Sequence, residues 1–279
     1  MAIPAAWPEC SFALPGGVLS GDDPSAYLRY RSAVVRPLSG HEEEWLACNR
    51  QVPSALAVTR LLNSCVLRID DEPTPKDLAQ RMLAGDRDYL LLQLRRLTLG
   101  DRVRAVLNCP ACGSKMDADL DAASVPVESR PQAEVRHSVA VGARTVSFRL
   151  PIGSDQEAVA GLDPDAAAAE LLRRSILDDG GTPLSPAEQP VVIAAMERIA
   201  PEVFVELQLT CPECAHEFEM PFDIASFFFD EMRIAGKQLF REVHALAFYY
   251  HWTETEILGL TRERRRMYLS LLSDALRGD

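Results

Sequence analysis

Val106-Leu107-Asn108-Cys109-Pro110-Ala111-Cys112 and Leu207-Gln208-Leu209-Thr210-Cys211-Pro212-Glu213-Cys214 are the two stretches on which the fold turns. Each ends a strand-like run in a C-P-x-C turn, and 98 residues separate Cys112 from Cys211. Adding 102 to each number carries Cys109, Cys112, Asp121, Ala123 and Ser124 onto Cys211, Cys214, Asp223, Ala225 and Ser226. A single offset that aligns all of these residues marks an internal repeat of one hairpin unit. Four thiolates in two such turns can close a tetrahedral Zn2+ site and leave no ligand position open for chemistry. The expectation is a four-cysteine zinc ribbon in two halves, with Cys109, Cys112, Cys211 and Cys214 as ligands of a structural ion.

A redox reading of the same cysteines needs a C-x-x-C at a helix N-terminus within a βαβ unit, where the dipole lowers the thiol pKa. These pairs lie between strand-like runs and occur twice, which favours metal. His216, two residues beyond Cys214, is an alternative ligand that four cysteines make unnecessary, so it reads as a surface hairpin residue. The odd total of seven cysteines fits a reducing compartment rather than a disulfide framework. Cys48 and Cys65 read as buried small hydrophobes.

The chain has 279 residues, 47% hydrophobic and 25% charged, an ordinary globular composition with a formal charge of −12. That charge argues against binding along a phosphate backbone, which needs Lys and Arg to displace counterions. The knuckles themselves carry Asp117, Glu213, Glu217 and Glu219 beside one Lys115. No apolar run approaches the roughly 18 residues that span a bilayer, and the N-terminus lacks a basic, then apolar, leader pattern. The expected location is the cytoplasm, free or particle-associated. No H-E-x-x-H, G-x-S-x-G, Walker or G-x-G-x-x-G pattern is present. The chain therefore reads as no enzyme, with protein partners and no membrane or small-molecule substrate.

The remaining pattern is α+β and helix-rich, with helical lobes on both sides of the ribbon. Residues 1–29 read as an irregular N-terminal arm and 30–100 as a strand and helical region. Residues 101–126 and 201–226 supply the ribbon halves, 127–200 an inserted module of a hairpin and helices, and 227–279 a C-terminal helical region. Ser39 with Glu42, and Thr253 with Glu256, form capping boxes. Thr74-Pro75 opens a helix from Lys76 to near Gly85, and Asp86 caps the next one. Val135 to Leu150 reads as a hairpin about Gly142-Ala143, Pro164 to Leu177 and Pro186 to Ile199 as helices, and Asp179-Gly180-Gly181 as a turn. Phe240, Val243, Leu246, Ala247 and Tyr250 form one helix face, and Met267, Tyr268, Leu271, Leu272 and Ala275 the stripe of a last helix capped by Thr261. Arg262, Arg264, Arg265 and Arg266 could belong to a helix-turn-helix, but the adjacent acids favour a solvated or partner-facing helix. Tyr250 and Trp252 are candidate contact residues, or packed aromatics.

Several stretches taken in order carry a resemblance. They are Val35-Arg36-Pro37-Leu38-Ser39-Gly40, Glu43-Glu44-Trp45-Leu46, Gly85-Asp86-Arg87-Asp88-Tyr89-Leu90-Leu91-Leu92, Phe148-Arg149-Leu150-Pro151 and both C-P-x-C knuckles. Further along come Phe222-Asp223-Ile224, Tyr250-His251-Trp252-Thr253-Glu254 and Arg265-Arg266-Met267-Tyr268-Leu269. Over about residues 30 to 272 the chain resembles the baseplate hub assembly chaperone family of contractile-tailed phages and phage-tail-like injection systems. The resemblance implies a role in bringing the hub or spike of a contractile tail together, or a place within the baseplate, and no catalysis. Only the four cysteines carry over as functional residues. A permanent structural baseplate subunit, a zinc-ribbon nucleic-acid binder and a thiol oxidoreductase stand as alternatives.

Overall fold

The computed structural model describes residues 8–19, 28–132, 134–177, 183–203, 206–221 and 223–278. Strands β1 (Cys10–Leu19) and β2 (Leu28–Val35) pair antiparallel and lead to helices α1 (Gly40–Cys48) and α2 (Ser54–Cys65). Strands β3 (Val66–Ile69) and β4 (Glu72–Pro73) complete a sheet ordered β1-β2-β3-β4. Helices α3 (Leu78–Arg81) and α4 (Ala84–Leu99) follow. Local chemistry sets these elements. Ser39 accepts from the His41 N–H while Glu42 receives the Ser39 N–H at 2.8 Å, the reciprocal box that starts α1. In α2, Ala57, Val58, Leu61, Leu62 and Cys65 recur at helical spacing and are buried. Gly100, at φ +87°, closes α4 in a conformation that glycine adopts without Cβ strain.

Four expectations fail in this lobe. Residues 10–19 are not irregular: they form β1, whose last six residues are all buried, so period-two alternation is lost over most of the strand. The helix expected from Lys76 to Gly85 is confined to α3. Met82 and Leu83 are instead extended, bridging Val18 and Ile152. Asp86 is not a cap, because α4 begins at Ala84. Its buried carboxylate accepts from the Gly16 and Gly17 N–H groups, both at 2.9 Å, and so ties the first turn of α4 to the bulge in β1. Cys65 is buried as expected, but Cys48 is exposed.

Beyond α4 come β5 (Arg102–Asn108), β6 (Lys115–Asp121), a 3-10 turn at Ala122–Ser124 and β7 (Val127–Glu128). The next segment holds β8 (His137–Val141), β9 (Arg144–Phe148), α5 (Gly153–Ala158), α6 (Pro164–Ser175) and α7 (Gln189–Ile199). The hairpin about Gly142-Ala143 forms as expected and Asp163 caps α6 by accepting from the Ala166 N–H, while α7 starts three residues later than Pro186. The turn expected at Asp179-Gly180-Gly181 lies outside the described residues. Strand β10 (Glu202–Val203) pairs with β7 and draws both ends of this segment together. Its core, which includes Val146, Phe148, Leu150, Leu172, Val192 and Met196, also takes in Leu19 and Leu83 from the N-terminal lobe. The Ala84 N–H donates to Pro151 and the Gly153 N–H to Met82, so backbone bonds fasten the segment where α3 meets α4.

The chain then runs through β11 (Glu206–Thr210) and β12 (Glu217–Pro221) into α8 (Ile224–Tyr250), α9 (Glu254–Leu258) and α10 (Arg262–Arg277). Helix α8 is unbroken over 27 residues. Phe228, Phe229 and Met232 in its first half enter the main core with Leu38, Leu61 and Leu90. Gly236 is required where α8 crosses α1, because a Cβ there would lie 2.5 Å from the Ala47 Cβ. Its second half packs Leu239, Val243 and Leu246 against Ile257 and Leu258. Phe240 is therefore one position off the inward face on which the sequence pattern placed it, and it is exposed. Met267 and Leu271 of the expected α10 stripe are exposed too. Among the described residues no helix is long and apolar enough to cross a membrane.

Candidate metal centre

Strands β5 and β6 pair in register from Arg102–Asp121 to Asn108–Lys115, and β11 and β12 from Glu206–Pro221 to Thr210–Glu217. Each hairpin places its C-P-x-C in the turn. In the first, the Cys109 N–H donates to Ser114 and the Gly113 N–H to Cys109, both at 2.9 Å. In the second, the Cys211 N–H donates to His216 and the Ala215 N–H to Cys211, again at 2.9 Å. Gly113 and Ala215 both take positive φ, +73° and +56°. The offset of 102 seen in the sequence therefore maps backbone bonds onto backbone bonds. It extends to the caps that follow: Asp121 accepts from the Ala123 N–H, and Asp223 accepts from the Ala225 N–H.

The two knuckles face one another. All four sulfurs lie within 4.8 Å of each other, and across the gap Cys109 approaches Cys214, and Cys112 approaches Cys211, at 3.7 Å Sγ to Sγ. A disulfide would require about 2.05 Å. A tetrahedron of sulfurs about 2.3 Å from a central Zn2+ has edges of about 3.8 Å. The donor set fits a thiolate-loving divalent ion in size, number and chemistry. Cys109 and Cys211 are buried while Cys112 and Cys214 are exposed, so each hairpin gives one inner and one outer ligand.

The four sulfurs also perturb one another. Hydrogen bonds with Ser114 bring the Cys112 thiol down to about 6. Cys214 is pushed up to about 12, because the other sulfurs, Cys112 foremost, outweigh the lowering bond from the His216 backbone. One thiolate suppresses the next, and a cation among them reverses that logic. Neither pair opens a helix, so the geometry offers no helix N-terminus to activate a thiol. His216 is exposed and stacks on Phe218 with ring centroids 5.9 Å apart, outside the sulfur cluster.

The other candidate residues find different partners. Tyr250, Trp252 and Tyr268 form an intramolecular aromatic cluster with centroids 4.8 to 6.0 Å apart. The arginine cluster is only in part a solvated face: Arg266 is exposed, whereas Arg265 and Arg262 turn to internal acids. Arg265 is fully buried, and its Nη2 and Nε donate to Glu43 and Glu242 at 2.8 and 2.9 Å, while Arg262 donates to the other oxygen of Glu43 at 2.6 Å. Two carboxylates and two guanidiniums thus fasten α1, α8 and α10. Sequence reasoning missed this role of Glu43. Its only signal was an Arg at an inward helical position of α10.

Two antiparallel hairpins that bring four sulfurs within 4.8 Å of one another define a mixed helix-and-strand protein with a cluster able to hold one metal ion. A sequence model of the family described as "T4 bacteriophage base plate protein" matches residues 30–179, more than half of the chain, and the chain belongs to that family. The match takes in the first knuckle and ends before the second. No curated protein and no solved structure matches the chain.

Proposed function

We propose that this chain is a non-catalytic zinc-ribbon assembly factor for the baseplate hub or spike of a contractile phage tail or phage-tail-like injection system. Membership of a phage baseplate family carries this reading. A saturated four-sulfur centre supports it, because Zn2+ there would brace the fold and have no site for substrate. The ion would be held by Cys109, Cys112, Cys211 and Cys214, fastening strands that flank the inserted segment. The working mechanism is transient cover of apolar hub surfaces that would otherwise associate wrongly.

The test is fractionation of the producing cell with the chain tagged and zinc measured on the same sample. The reading expects the chain in assembly intermediates and not in mature particles. Fixed stoichiometry in mature particles would make it a permanent baseplate subunit instead. Absence from both fractions would end either version.

A further inference from the structure

We propose that the outward face of α8 is the docking surface for an acidic, apolar-faced helix of a protein partner. This extends the assembly reading, and rests on it for the partner being a protein of the tail. Ile234, Phe240, Phe248 and Tyr249 are 81%, 44%, 65% and 48% exposed, and among the described residues nothing covers them. Lys237 and Arg241 are exposed among them. The only acid between Ile234 and Tyr249 is Glu242, which is buried against Arg265. At about 3.6 residues per turn Ile234, Lys237, Arg241 and Phe248 fall within about 60° of one another around α8, with Phe240 and Tyr249 on its opposite flanks. A chain of formal charge −12 thus presents a stripe free of exposed acid that carries cations and large apolar groups together.

The stripe is held rigid from behind. Gly236 lets α8 lie against Ala47, and Leu239, Val243 and Leu246 anchor its inner side. Phe248 packs edge-on to Tyr249 at 5.1 Å and stacks with His244 at 6.3 Å. Aromatic groups already ordered in this way lose little freedom on binding. At 1.5 Å per residue the stripe runs about 22 Å, which matches about four turns of a partner helix. Charge selects the occupant. A two-fold pairing of this face with itself would bring two further cations and no exposed acid to the seam. Two exposed cations fall short of the Lys/Arg clusters that hold a phosphate backbone or an anionic membrane. An amphipathic helix with Leu or Phe in its seam and Glu or Asp at its flanks satisfies both components.

The probe is a fluorescein-labelled, four-turn Leu/Glu amphipathic peptide, titrated with the full chain at low and moderate salt. A Leu/Lys peptide, single-stranded DNA and phosphatidylserine vesicles serve as comparators. The inference expects salt-sensitive binding of the acidic peptide alone. Lys237→Glu with Arg241→Glu should weaken that binding at least about tenfold and create affinity for the Leu/Lys peptide. Phe240→Ser with Phe248→Ser should weaken it similarly; thermal unfolding should stay at the parent value for the charge double and fall by only a few degrees for the phenylalanine double, because Phe240 is half-buried. No binding of the acidic peptide, indifference to either double variant, or tighter binding of DNA, vesicles or a second copy would overturn the inference. Peptide binding by a chain that never meets tail assemblies would instead sink the assembly reading and leave this surface standing.

Discussion

Replacing Arg265 by Met tests the internal ion network. The change keeps most of the stem's volume and deletes the guanidinium, whose side chain is 1% exposed. Glu43 would retain Arg262, but Glu242, at 6% side-chain exposure, would lose the only cation it contacts among the described ion pairs. One uncompensated buried carboxylate costs about 3–5 kcal/mol. The carbonyl of Leu260, which Arg265 Nη1 serves at 2.9 Å, adds about 1 kcal/mol. At about 2–4 °C per kcal/mol for a protein approaching this size, the melting temperature should fall by about 8–24 °C. Arg266→Met, one residue away and exposed, should stay within about 0.5 kcal/mol of the parent. Calorimetry on both variants gives the comparison, and Glu242→Gln completes a double-mutant cycle. In the Gln background the cost of Arg265→Met should drop by at least half, since the orphaned charge is gone. Equal melting of the Arg265 and Arg266 variants, or an undiminished cost in the Gln background, would refute the reasoning.

Other outcomes follow from single contacts. Cys112→Ser should lower bound zinc from one ion per chain to none and leave the protein insoluble or less stable; stoichiometric zinc with parental melting, read by elemental analysis and calorimetry, would remove the clip. Burial pushes the Asp86 carboxyl up to about 7 from 3.8. The folded state therefore holds its proton more tightly than the unfolded chain, and this contribution to stability is lost as pH rises from 3.8 to about 7. Urea midpoints across that range should fall more steeply for the parent than for Asp86→Asn, and parallel curves would count against the assignment. In Gly85→Ala the new Cβ would lie 1.9 Å from the Pro201 carbonyl oxygen. Because the obstacle is backbone, the cost should reach about 3 kcal/mol, the upper part of the overpacking range, and an unshifted unfolding midpoint would contradict the close packing of α4 on the neck at β10.

Capping boxes, proline and glycine punctuation and helical periodicity were legible in the sequence because the groups involved lie within a few residues of each other. The Ser39–Glu42 and Thr253–Glu256 boxes and the Gly142-Ala143 hairpin all belong to this class. Strand β1 was not legible, because burial on both faces erases alternation and because the acceptor for its Gly16 and Gly17 N–H groups lies on a helix far along the chain. Asp86 for that reason looked like a cap.

The convergence of Cys109, Cys112, Cys211 and Cys214 spans about the same distance in sequence as contacts that could not be foreseen, yet it was readable from composition and spacing alone. Thiols have few uses in pairs, and a duplicated hairpin reports that its two copies share one task. Charged side chains carry no such label. The same arginine is solvated in one setting and fully desolvated in another, and the choice for Arg265 depended on Glu43, 222 residues away. Chemical identity and local pattern therefore settled the knuckles and most helix ends by themselves. Which charges are buried, and which apolar side chains of α8 and α10 remain exposed, was decided only when the helices packed, because burial is a property of neighbours that the chain brings together from afar.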